Sequence, residues 1–273
     1  MSAEIENIDV IEEQIQNKKA VNYDELFFQS IAEFPIRKRI ADYLKRKGVS
    51  RSAKIIDVGC GTGELLLYLQ SQGYQSLYGN DISEMMLKIA SNKVKNGVFF
   101  HGSINKVQIP EKFDFIIITE ALHHIPDLEL TFESLKKLLN PNGEIVLLEP
   151  NEKWFFEDFP SKRRSAIYWP VALLHKYAGY KNKELIDRNR EYDTPDTFNP
   201  FHRHLTIEEV KAAANMKVDY TKYFTFYMGL FESCLFKKSA IDQAIYRLVS
   251  VVDSLVPMGD KGKYFLLVLK NKS

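Results

Sequence analysis

The sequence predicts an α/β fold, an open and mostly parallel sheet with helices on both faces. Three observations carry this. Between residues 54 and 148, five short apolar runs alternate with helix-patterned segments. That alternation implies parallel strands joined by crossover helices. The first run ends in an acid and opens into a turn with glycines at every second position, Asp57-Val58-Gly59-Cys60-Gly61-Thr62-Gly63. Hydrophobic residues make up 45% and charged residues 27% of 273 positions, enough apolar side chains for one large core.

The elements follow in order. Residues 1–20 are polar and acidic and read as an N-terminal arm. From Tyr23 to Lys47, Phe27, Ile31, Phe34, Ile40 and Leu44 recur at near-helical intervals, with Pro35 dividing the stretch and Gly48 stopping it. Lys54–Val58 is a β-branched strand, and a helix runs from Glu64 to about Gln72. Ser76–Gly79 is the second strand, ending at Asn80-Asp81, and Ser83 opens a helix through Met86, Leu87 and Ala90. Val98–Phe100 and Phe113–Ile118 are the third and fourth strands, the fourth read as buried because it is nearly continuously apolar. A helix is expected from Glu129 to Leu139, a turn at Asn140-Pro-Asn-Gly143, and a fifth strand at Glu144–Leu148.

The regularity then breaks. Residues 151–204 are rich in aromatics and read as an insertion, largely helical between about 161 and 190. Thr206-Ile-Glu-Glu209 is a capping-box pattern opening a helix to about Asn215. Val218–Tyr227 reads as a strand, residues 239–256 as a helix and Tyr264–Leu269 as the last strand. The expected division is an N-terminal helical arm or lid at 1–50, an α/β core at 51–150, an insertion at 151–204 and a completion of the core at 205–273.

Composition narrows the partners. The formal net charge is +1, which gives no support for a nucleic-acid partner. Cys60 and Cys234 lie far apart without CxxC spacing, so neither a disulfide framework nor a zinc site is expected, and no metal is called. The acidic start MSAEIENIDVIEEQ lacks an apolar signal region, and no run of about 18 apolar residues exists. A cytoplasmic protein is the expectation. Arg37-Lys-Arg39 and Lys45-Arg-Lys47 read as a solvated helix face.

The glycine turn points to an adenosine cofactor. Glycines allow positive φ and close approach of a ligand to the backbone, and the turn lies at the carboxyl end of a strand, where ligands bind in open α/β sheets. A dinucleotide turn reads G-x-G-x-x-G, whereas this one reads Gly59-x-Gly61-x-Gly63 with Asp57 before it. S-adenosylmethionine (SAM) has no pyrophosphate but carries a sulfonium and an amino-acid end, which acids and backbone acceptors suit. Asp81, ending the second strand, is placed to accept both ribose hydroxyls, and this fits either NAD or SAM.

The segments IIDVGCGTGELL, YGNDIS, FDFIIITEALHHIPD and LKKLLNPNGEIVLLEP resemble the successive motifs of class I SAM-dependent methyltransferases. The branch resembled acts on small molecules and includes ubiquinone-type, phosphobase and natural-product enzymes. The resemblance covers roughly residues 51–150. It implies a Rossmann-like seven-stranded sheet with an antiparallel last strand and a helical lid between strands five and six. It implies that Asp57, Gly59, Cys60, Gly61 and Gly63 meet the amino-acid end of SAM. It implies that Asp81 takes the ribose and that Ile82 packs beside the adenine. Ser103, followed by Ile104, falls where the family often has an adenine-binding Asp, so the charge-assisted bond is missing here. Glu120, Ala121 and Leu122 follow strand four, where the family contacts the methionine portion.

Methyl transfer from a sulfonium is an in-line displacement, and an oxygen acceptor often needs a general base. His123 and His124 end strand four. One can point to the cofactor while the other faces the fold, and packing competes with acid–base work as the reason for the pair. The phosphobase branch pairs a histidine in a similar context with an N-terminal tyrosine. That resemblance implies His124 and Tyr23 in those roles. Glu149, at the end of strand five, would bind an acceptor or cap a neighbouring helix. Trp154, in the aromatic insertion, and His202 are further acceptor candidates, with an ordinary core and a loop role as their alternatives. Lys162-Arg-Arg164 beside the aromatics adds a membrane-surface reading. The expectation is transfer of a methyl group from SAM to a small hydrophobic acceptor, with oxygen first among the atoms. A non-catalytic SAM-binding module and an NAD-dependent oxidoreductase stand beside it.

Overall fold

The structure, a computed structural model, describes residues 2–24, 33–153, 205–224, 240, 244, 260 and 262–272. Seven strands form one sheet in the order β3-β2-β1-β4-β5-β7-β6. They are β1 (Ile55–Val58), β2 (Leu77–Asp81), β3 (Val98–His101), β4 (Phe113–Thr119), β5 (Leu139–Pro150), β6 (Lys217–Phe224) and β7 (Tyr264–Lys270). Strands β1 to β5 pair in parallel, while β7 runs antiparallel to both β5 and β6. The expected mostly parallel sheet with an antiparallel last strand is the observed one.

Strand periodicity builds the two cores. On β5, Val146 and Leu148 join one buried cluster with Ile40, Leu44, Leu66 and Leu69. Ile145 and Leu147 join the other with Phe132, Leu135, Val210 and Phe265. Successive side chains point to opposite faces, so a run of four apolar residues serves both layers.

The helices are α1 (Ser2–Ala20), α2 (Glu33–Arg46), α3 (Glu64–Ser71), α4 (Glu84–Lys93), α5 (Leu128–Leu138) and α6 (Ile207–Ala214). Ser83 caps α4 by accepting the Met86 amide, and Asp127 caps α5 by accepting that of Leu130. Thr206 and Glu209 form the full capping box of α6, which ends at Asn215 with φ 45°. Each cap satisfies amides that have no partner within the helix.

Strand order places the site. The chain runs β1, β2, β3 toward one edge, then returns to β4 on the other side of β1. The crevice beyond the carboxyl ends of β1 and β4 is therefore the topological switch point, where α/β sheets take ligands.

Several expectations are corrected. The Asn140-Pro-Asn-Gly143 segment is part of β5, which begins at Leu139. Leu139 pairs with Phe113 across a register shift, and Asn140 Nδ2 donates to Asp114 Oδ1 at 2.8 Å. His123 and His124 sit on a 3₁₀ turn, Leu122–His124, rather than on the strand. The basic runs are a solvated face only in part: Lys38, Lys45, Arg46 and Lys47 are exposed, but not every residue is. Arg37 is buried, and the Arg39 guanidinium lies 4.0 Å over the Phe224 ring. Lys47 pairs with buried Glu144, which also accepts from Tyr43 at 2.7 Å and lies 3.1 Å from Lys270. The expected helices at 161–190 and 239–256 fall outside or almost wholly outside the described residues.

Candidate active site

The three glycines of the turn have φ of 73°, 51° and 78°, the left-handed region that costs other residues strain. Their surroundings differ. A Cβ on Gly59 would stand 2.3 Å from Ala121 Cβ, and one on Gly63 would stand 2.9 Å from Ala90 Cβ. Those two glycines serve packing against the β4 turn and α4. A Cβ on Gly61 would meet nothing nearer than Tyr23 Cε1 at 4.0 Å, because Gly61 faces a cavity. The Gly59 and Cys60 amides donate to the Asn80 carbonyl at 2.8 and 3.0 Å, tying the turn to β2.

That cavity is open to solvent on one side and lies at the switch point. Gly59, Gly61, Asp81, Ile82, Ser103, Ile104 and Glu120 line it, together with Tyr23 and His124. These are residues the sequence singled out, and the fold brings them to one wall. Asp57, Cys60, Gly63 and Leu122 are buried beside it without lining it. Trp154 and His202 lie outside the described residues.

Sequence reasoning expected an arm or lid at 1–50 but singled out none of the residues by which its first helix reaches the site. Ile8, Asp9, Glu12 and Gln16 of α1 line the same cavity. Helix α1 buries Glu12, Ile15 and Ala20 while leaving Val10 and Ile11 exposed. Polar contacts seat it: Asp9 on Lys106 at 2.7 Å, Glu13 on His101 at 3.1 Å, and Asn17 Oδ1 accepting from Ser83 Oγ at 2.7 Å and the Met85 amide at 3.2 Å.

The acids are held above their ordinary range. Burial pushes Asp57 well up, and the nearby Asp81 charge adds to it. Asp57 Oδ1 is buried with no hydrogen-bond partner among the described residues. Burial also raises Asp81, although amides from Ser83 and Gly61, each at 2.8 Å, favour its charged form. Glu120, with φ 51°, is raised by burial against the opposing hydrogen bond from Tyr264, whose hydroxyl donates at 2.8 Å. Glu12 is raised by burial too, which outweighs the hydrogen bond from Gln16. An orphaned carboxylate oxygen and several buried acids beside an open glycine turn suit a ligand bearing positive charge and donors.

The two histidines diverge. His124 lines the cavity, with Nδ1 3.3 Å from Glu12 Oε1. His123 is buried, with Nδ1 2.7 Å from Glu149 Oε2. The other Glu149 oxygen accepts the Ala121 and Leu122 amides at 3.0 and 2.9 Å. Glu149 thus supports the turn from below and does not line the cavity, the capping arrangement rather than the acceptor-facing one. Burial alone would lower the His123 imidazole, but Glu149, helped by Glu120 and Glu12, shifts it upward on balance.

Comparisons with known proteins agree with this geometry. A family model described as a methyltransferase domain matches residues 23–219, well over half of the chain. The chain belongs to that family, and its class is that of the class I SAM-dependent methyltransferases. Demethylmenaquinone methyltransferase of Bacillus subtilis (strain 168) is 31% identical over 146 residues, covering 50% of this chain and 61% of that protein. The same-named protein of Geobacillus stearothermophilus is 31% identical over 123 residues, 42% of this chain and 53% of that one. The chain thus spans about three fifths or less of the curated relatives it matches. Among solved structures, magnesium protoporphyrin IX methyltransferase of Synechocystis PCC 6803 superposes with a TM-score of 0.58 at 14% identity, covering 97% of this chain and 100% of that one. A SAM-dependent methyltransferase of Thermotoga maritima gives 0.56 at 16% identity, covering 96% and 100%. These two likenesses show the fold. Among the described residues, no group of acids, histidines and cysteines could hold a metal ion, and no helix is long and apolar enough to cross a membrane.

Proposed function

We propose that the chain transfers a methyl group from SAM to a small, apolar, hydroxylated acceptor, with oxygen as the methylated atom. The observation that carries it is the shared cavity. The Gly59–Gly61 turn, Asp81 and Ile82 line the same space as His124, so cofactor-binding and proton-accepting groups converge.

SAM supplies an electrophilic methyl group on a positively charged sulfur. The protein's part is placement. Asp57 and the turn receive the amino-acid end, Asp81 the ribose, and Ile82, Ser103 and Ile104 the adenine. Ile8, Ile125 and Pro126 give the cavity part of its apolar lining. His124 takes the proton of the acceptor hydroxyl as the oxygen bonds to the methyl carbon. The carbon–sulfur bond breaks and its electron pair stays on sulfur, so neutral S-adenosylhomocysteine departs. Tyr23 lines the same cavity, and its part is to orient the hydroxyl.

A second reading has its own support. The curated relatives are named for demethylmenaquinone, so a ring carbon of a hydroxylated quinol is an alternative acceptor atom. Deprotonation of the hydroxyl serves both, because the charge reaches oxygen and ring carbon alike. Incubation with methyl-labelled SAM and a panel of phenols and naphthoquinols, followed by NMR of the product, separates them. The proposal expects a labelled methyl ether. A methyl on a ring carbon supports the second reading. SAM binding with no S-adenosylhomocysteine formed from any acceptor would leave a binding module instead.

A further inference from the structure

We propose that Glu12 of α1 is the positioning carboxylate of His124, so that the seating of α1 completes the catalytic base. This rests on the methyltransferase reading above.

The placement of Glu12 is the first ground. Helix α1 turns this carboxylate inward, 8% exposed, while its neighbours Val10 and Ile11 stay 50% and 38% exposed. Burying an acid and exposing apolar side chains opposes hydrophobic burial, and such an arrangement persists where the acid has work to do. The second ground is geometry. Glu12 Oε1 lies 3.3 Å from His124 Nδ1, and Gln16 Nε2 donates to the same oxygen at 2.7 Å, fixing the rotamer. The third is register. Contacts of Asp9, Glu13 and Asn17 with Lys106, His101, Ser83 and Met85 hold α1 so that Glu12 falls over the 3₁₀ turn.

The neighbouring pair gives a contrast within one turn. His123 has Glu149 on the core side, and His124 has Glu12 on the cavity side. The two rings lie 4.4 Å apart. The first pair supports the backbone beneath the site. The second comes from a separate helix and meets a histidine on the cavity wall, so it forms only when α1 is in place.

The chemistry is that of a histidine oriented by a carboxylate. The proposed state has Nδ1–H turned to Glu12, from its 3.3 Å separation, which puts the lone pair on Nε2. When Nε2 takes the acceptor proton, the imidazolium is stabilised by the adjacent carboxylate, and its positive charge opposes the burial that raises Glu12. Among the described residues, the other titratable or charged groups around this pair include His123, Glu120, Asp81, Tyr23 and Asp9, with Lys19 on α1 acting on Glu12.

The test uses the full chain bound to S-adenosylhomocysteine. Nitrogen chemical shifts of His124 should report the Nδ1–H tautomer in the wild type, and E12Q should lose that bias. In the labelled-methyl assay, E12Q should lower kcat on the order of tenfold or more with SAM affinity nearly unchanged. E12D should recover part of it. Should E12Q melt below the assay temperature, the wild-type nitrogen shifts alone carry the test. An Nε2–H tautomer in the wild type would overturn the proposal. So would an unchanged kcat, or a loss confined to SAM affinity. If the tautomer is as expected but no acceptor is methylated, the enzymatic reading fails while the Glu12–His124 pair stands.

Discussion

His123 Nδ1 lies 2.7 Å from Glu149 Oε2, inside a wall where Glu149 is wholly buried and His123 nearly so. Glu149 also holds the Ala121 and Leu122 amides, so one side chain organises the whole turn beneath His124. Glu149→Ala should leave an imidazole and two amides without this partner. A loss of about 3–5 kcal/mol in urea unfolding is expected. The pH dependence has a definite sign. The His123 value is raised in the folded state, so the charge contribution is full below the unfolded value of about 6.5 and fades as pH rises through the folded one. The stability gap between wild type and variant should therefore narrow on the alkaline side without closing, because the amide bonds remain. A gap that widens there would contradict the pairing.

Asp57 presents the opposite economy. Its carboxyl is raised well above the ordinary range by burial and by Asp81, and Oδ1 has no hydrogen-bond partner among the described residues. Stability is therefore lost as pH rises through the folded value. Asp57→Asn should stabilise the ligand-free protein at neutral pH by on the order of 1–3 kcal/mol and weaken SAM binding. Thermal melts across pH should show the advantage vanish in acid. An Asn variant that is both less stable and equally avid for SAM would show that the acid serves the fold alone.

The glycines of the turn should separate folding from binding. Gly59→Ala forces a Cβ to 2.3 Å from Ala121 Cβ at φ 73°. Left-handed strain of about 1–2 kcal/mol is then joined by about 1–3 kcal/mol of overpacking. Gly61→Ala has only the strain, since its nearest neighbour is 4.0 Å away, but its methyl group enters the cavity. Melting temperature should fall more for Gly59→Ala, and Gly61→Ala should lose SAM affinity well beyond its modest loss of stability. Equal effects of both on melting and on calorimetric affinity would contradict the assignment.

Helix α1 should be seated by Asn17. Asn17→Ala removes the acceptor for Ser83 Oγ and the Met85 amide, while the Met86 amide keeps its bond to Ser83. Hydrogen exchange should quicken across residues 2–20 and remain slow in β1 and β4. Uniform acceleration across the sheet would mean that α1 is part of the cooperative core.

The contrast between what the sequence disclosed and what it hid is physical. The β1 turn, the Ser83 cap and the Thr206–Glu209 box were legible because each is a local device whose residues sit within a few positions of one another. The antiparallel last strand followed from family resemblance rather than from local pattern, and its place between β5 and β6 was not read from the sequence. An arm or lid at 1–50 was legible, but the α1 residues that line the cavity were hidden because their docking is polar and non-local, with Glu12 inward and Val10 outward, which inverts the usual pattern. The start of β5 was hidden because Asn140-Pro-Asn-Gly143 has turn chemistry, while the pairing of Leu139 with Phe113 overrides it. Arg39 and Lys47 looked like solvent-facing charge, and their partners Phe224 and Glu144 lie far along the chain.

The central claim is that the cavity between the glycine turn and α1 is the SAM site. Calorimetric titration of the full chain with S-adenosylhomocysteine, with NAD as comparison, tests it most directly. One-to-one binding of S-adenosylhomocysteine without measurable NAD heat, and at least tenfold weaker binding in Asp81→Asn, is the predicted result. Tighter binding of NAD, or S-adenosylhomocysteine affinity unmoved by Asp81→Asn, would contradict it.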